Sequence, residues 1–142
     1  MSTTRSGPPV APVLHRSLVT GLLLLTGVMV VLRSGDTWSG DTDPSSDNRM
    51  LGYLLAAVSV LLLAVALLFL KPRVPERKPH QLVEEYWSSA TPTILPMWFV
   101  MEGAGMAAIV GYFLSGERVA ALAIGVSIAA FIWYGPKAFV NT

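Results

Sequence analysis

The chain has 142 residues, 53% hydrophobic and 13% charged, with a net charge of +1 and no cysteine. A soluble domain carries roughly a quarter charged residues, so this balance points to the membrane, and the near-neutral charge argues against a nucleic-acid footprint. Without thiols there are no disulfides, iron–sulfur clusters, thiolate metal sites or thiol catalysis.

Four apolar runs, at residues 17–32, 50–70, 94–114 and 119–134, predict four transmembrane helices. A span of the hydrocarbon core needs about 20 helical residues, and lipid cannot satisfy exposed backbone groups. The expected fold is therefore all-α: a polytopic integral membrane protein whose four helices form an antiparallel bundle in one domain, residues 17–142.

Residues 1–16 hold Pro8, Pro9 and Pro12 among small polar residues and are expected to form a flexible tail. Arg5 and Arg16 ahead of a leucine-rich run also resemble a signal peptide. Arg33 follows the run directly with no small-x-small site beside it, so an uncleaved first span is expected. The next segment, 33–49, carries Asp36, Asp41, Asp43 and Asp47. An EF-hand loop starting at Asp41 would need glycine sixth and glutamate twelfth, where Ser46 and Gly52 stand, so a solvated acidic loop is expected.

The second run, rich in leucine around Leu54–Leu55 and Leu61–Leu63, reads as bulky on most of its circumference, like a helix facing lipid. It stops at Lys71-Pro72, and Pro75 and Pro79 follow in a connector suited to extended backbone. At about 80–90, Leu82, Val83, Tyr86 and Trp87 recur at helical spacing, which predicts a short amphipathic segment lying on the membrane surface.

Placing Arg5, Arg16, Lys71, Arg73, Arg77, Lys78 and Lys137 on one side leaves Arg33, Arg49 and Arg118 on the other. The positive-inside rule then sets both termini in the cytoplasm, and the expected location is a prokaryotic plasma (inner) membrane. Trp38, Tyr53 and Tyr112 fall near the outer boundary, and Tyr86, Trp87, Trp98, Trp133 and Tyr134 near the inner one.

Two stripes of small residues recur every four positions: Gly103, Ala107, Gly111 and Ser115 on the third span, and Ala121, Gly125 and Ala129 on the fourth. Such faces let helices approach closely in lipid. A short loop joins these spans, so the stripes are expected to face each other.

The third span also contains Glu102, near its middle. An acid at that depth costs on the order of 2.5–3.5 kcal/mol on insertion scales, and desolvation favours its neutral form. Ser59, Ser127 and Thr26 lie near the midpoints of the other three spans, within about 6 Å of the same level. Together the four oxygens could form an interhelical polar layer or bind a proton or cation. No lysine or arginine lies at that depth. His15 and His80 fall outside the spans and are expected to be interfacial or solvated. No Gly-rich phosphate loop, zinc spacing or hydrolase elbow is present, so neither catalytic residues nor a metal or other cofactor are expected.

Residues 77–114, and above all Val100-Met101-Glu102-Gly103-Ala104-Gly105-Met106-Ala107, resemble the second helix of rotary ATPase c-subunit proteolipids. The resemblance implies that Glu102 is an ion-binding carboxylate. The preceding span departs from that family in being leucine-rich rather than glycine-rich, and extra spans lie on both sides.

The composition and short loops lead to one expectation: a small non-catalytic membrane protein, an accessory or structural subunit packing against other membrane subunits or copies of itself. The alternative is a proton- or sodium-coupled channel or carrier using Glu102.

Overall fold

The structure is a computed structural model and describes residues 10–35 and 46–140. Expectations for residues 1–9, Trp38, Asp36, Asp41 and Asp43 lie outside the described residues. Helix α1 runs Val10–Ser34, α2 Ser46–Val65, α3 Val83–Ser115, α4 Arg118–Trp133 and the short α5 Lys137–Val140. All regular structure among the described residues is helical, and three segments are long and apolar enough to cross a membrane: α1, α2 with its extension to Arg73, and α3. The apolar α4 is shorter, at 16 residues.

The helix ends differ from the sequence expectation in instructive ways. α1 begins at Val10, so the last part of the expected tail is helical. Pro12 does not prevent this, because its missing N–H falls in the first turn, where no intrahelical acceptor is available. Ser46 and Asp47 form the first turn of α2 rather than loop, and the aspartate sits favourably at the positive end of the helix dipole. α2 continues through a π-helical turn, Ala66–Leu70, into the 3₁₀ turn Lys71–Arg73.

The largest revision concerns the segment at 80–90. It is the first part of α3, which continues through Pro92 and Pro96 without a break. Each proline removes a backbone donor, but prolines are tolerated in helices that neighbours hold in place. The support here is burial: Tyr86, Trp87, Ala90 and Ile94 are all inside the protein. Tyr86 donates to the Pro75 carbonyl at 3.2 Å, and Trp87 packs edge-on against Tyr86. The pair therefore belongs to the core, while Leu82 and Val83 stay exposed.

The helices pair in a register that individual contacts fix. Along α1 and α3, His15 packs at a tilt against Trp98, Leu22 fills the space over Gly105, and Arg33 reaches Phe113, so these two helices run parallel. Along α2 and α3, Gly52 lies against Ser115, Leu55 against Gly111 and Leu62 near Gly103, so this pair is antiparallel. α4 returns alongside α3, with Ala120 near Gly111 and Tyr134 bonded to Trp98. Gly103 and Gly105 are about 200° apart around α3. α1 and α2 therefore flank the α3–α4 pair from different sides.

Candidate functional site

Ser59 and Ser127 meet in the interior, Oγ to Oγ at 3.2 Å, and both are fully buried. Ser127 also donates to the Ala123 carbonyl at 2.8 Å. A hydroxyl has one proton, so Ser59 is the donor to Ser127. The pair joins α2 to α4 and has no unsatisfied atom. Thr26 does not reach it and donates instead to the Leu22 carbonyl of its own helix at 2.8 Å.

Glu102 stands apart from this pair. It is half-buried, with exposed Phe99, Met106 and Val110 within two turns on the same side of α3. The α2–α3 register sets Ser59 level with Ala107, about 7–8 Å along the axis from Glu102 and on another face. Among the described residues none hydrogen-bonds or ion-pairs with Glu102, and its oxygens are not sealed in the interior. The carboxyl thus opens to the outside of the bundle.

The small-residue stripes do not face each other. Gly111 and Ser115 pack on Gly52 and Leu55 of α2, so close that a Cβ on Gly52 would run into the Ser115 side chain. α4 instead buries Ala120, Ala123, Ile124, Ser127 and Phe131, a face that includes the hydroxyl and the ring. That choice turns Ala121, Gly125 and Ala129 outward, and no atom lies within 4 Å of where a Cβ on Gly125 would stand. Gly103 and Ala107 are half-buried at the edge of the α2 interface.

Several working residues carry little signal in the sequence. Gly52 begins its own small stripe with Ala56 and Ser59, spaced four and three residues, hidden among leucines that turn outward. His15 is 5% exposed, buried in the core rather than solvated. Its ring lies 4.6 Å from Trp98 and 4.9 Å from Phe131, and its Nε2 donates to the Phe131 carbonyl at 3.0 Å. That carbonyl is left over at the end of α4, because the Gly135 N–H goes to Ile132 instead. Trp98 Nε1 donates to the Tyr134 carbonyl, three residues on, at 2.9 Å. Two ring N–H groups from two helices therefore satisfy orphan acceptors at one helix end.

At the other end of the bundle, α3 stops at Gly116, whose φ of 68° suits glycine, with its N–H on the Tyr112 carbonyl. Arg33 donates to the Phe113 carbonyl and lies over the Tyr112 ring at 5.6 Å. A cation here opposes the negative end of the α3 dipole. α1 fully buries only Ala11, His15 and Leu22, with Leu18, Val19, Leu25 and Met29 partly buried against the core, and these polar contacts add a hold at its two ends. Beside this cap Glu117 receives Tyr53 at 3.2 Å and pairs with Arg49 at 3.7 Å.

No protein-family model, curated protein or solved structure matches the chain. The functional reading therefore rests on the geometry of the side chains.

Proposed function

We propose that the protein is a non-catalytic subunit of a membrane complex, held to a neighbouring transmembrane helix by the outward face of α3. One observation carries this reading: an acid near the middle of an apolar helix opens outward and finds no partner among the described residues. Leaving such a group in hydrocarbon is costly, and a polar side chain on an adjoining helix would offset that cost. The outward Ala121, Gly125 and Ala129 supply a second face on which a helix could approach closely.

In this reading α1 to α4 all span the bilayer of a prokaryotic plasma membrane, with both termini cytoplasmic. At about 24 Å, α4 reaches across with help from the flanking turn. The partner is another membrane protein or a second copy of this chain.

The competing reading is proton or sodium transfer at Glu102. An opening to the side of the bundle supports exchange with a neighbouring subunit more than passage through this chain. Purified protein in liposomes separates the two. Ion flux in the isolated chain that Glu102→Gln abolishes would favour the carrier. No flux, together with a Glu102-dependent contact to a second helix, supports the subunit.

A further inference from the structure

We propose that the groove between the start of α1 and the α4–α5 turn binds the phosphate of an anionic phospholipid. The groove encloses about 460 Å³, and Arg16 and Lys137 stand on its opposite walls. Arg16 and Thr20 are four residues apart and so share one face of α1, bringing a cation and a hydroxyl donor to the same side. No acid lines it. The neighbouring groove across Trp133 is different: Glu76 is in its wall, and Lys71 lies over the Tyr134 ring at 5.0 Å. Among the described residues, neither Arg16 nor Lys137 has an ion-pair or hydrogen-bond partner for its side chain. None of the described residues thus competes with a ligand for either cation.

The level in the membrane favours a lipid as the source of the phosphate. The apolar run of α1 starts immediately after Arg16, and that of α4 ends at Tyr134, so the groove sits where both helices pass from apolar to polar surroundings. Trp133, 78% exposed on its rim, suits the headgroup region. Val19 and Ile132 carry the wall on toward the apolar zone, where acyl chains would lie. Basic pockets between transmembrane helices are a known form of headgroup recognition.

The test is native mass spectrometry of the full chain released from micelles containing dioleoyl phosphatidylglycerol or dioleoyl phosphatidylcholine. The first phosphatidylglycerol adduct is expected to form in clear preference. Each basic side chain contributes about fivefold, so the Arg16→Gln, Lys137→Gln double variant should weaken that adduct roughly 30-fold. Arg16→Lys should retain most of it, and Arg73→Gln with Lys78→Gln, outside the groove, should leave it nearly unchanged. Should the double variant not fold, Lys137→Gln alone, with its fivefold loss, decides. Equal binding of the two lipids, or equal losses in the two double variants, would overturn the proposal. Protection of the protein against heat by inorganic phosphate as strong as that by phosphatidylglycerol would overturn the lipid source.

Discussion

Replacing Gly52 by alanine tests the packing of the bundle where it is tightest. The new Cβ would fall on the Ser115 side chain, including its Cβ, which cannot rotate away. Carbon atoms need about 3.5–4.0 Å, so α2 and α3 would have to separate by roughly 1 Å or more at their crossing. Overpacking costs about 1–3 kcal/mol, and a clash with a Cβ this deep belongs at the upper end, about 3, of which alanine returns about 1 kcal/mol through helix propensity. We expect a net loss near 2 kcal/mol. For a chain of this size that is a fall of about 6–10 °C in the melting temperature in detergent. Ser115→Gly removes the obstructing atoms, so it should restore at least half of the stability lost in Gly52→Ala. The design is a double-mutant cycle read by thermal or denaturant unfolding, with a coupling of about 1 kcal/mol or more expected. A Gly52→Ala variant as stable as the parent, or losses that simply add, would refute the close crossing.

Further expectations follow from the helix ends and the outward face. His15→Phe keeps the ring among Trp98 and Phe131 but leaves the Phe131 carbonyl without its donor, and should cost about 1–3 kcal/mol in an unfolding titration; an unchanged midpoint would contradict the cap. Gly116→Ala combines a left-handed backbone with the Arg33 guanidinium in its path, so about 1–2 kcal/mol should be lost from backbone strain alone. Part of its total cost should disappear in an Arg33→Ala background, and strict additivity in that cycle would argue against the contact. Gly125→Ala meets nothing and should leave the monomer in detergent unchanged, or up to about 1 kcal/mol more stable; a clear loss would show that this face is already packed.

The sequence made the apolar runs legible because lipid imposes long, continuous hydrophobic stretches. It also led to Ser59 and Ser127, which do meet, since each is a hydroxyl alone near the centre of its span. What it could not convey was direction around a helix. In water the apolar side of a helix marks the core, but in lipid both sides are apolar, so Gly111 and Gly125 look alike although one is packed and the other faces out. The same ambiguity hid Gly52, whose small neighbours Ala56 and Ser59 are separated by the outward Tyr53, Leu54 and Val58. Depth along the sequence places His15 and Trp98 near the membrane boundary and says nothing of their burial. Their burial follows from open carbonyls at the end of α4, a feature created only when the helix stops before Pro136.

The outward carboxyl is the centre of the functional account, and contact at its face is what most needs measuring. A photo-crosslinking residue at Phe99 or Met106, on either side of Glu102 along the exposed face of α3, should capture one defined partner helix in the native membrane. Glu102→Ala should abolish that adduct while leaving the melting temperature of the purified chain nearly unchanged, because none of the described residues bonds to the carboxyl. No adduct at either position, or an adduct of equal yield without Glu102, would contradict the account.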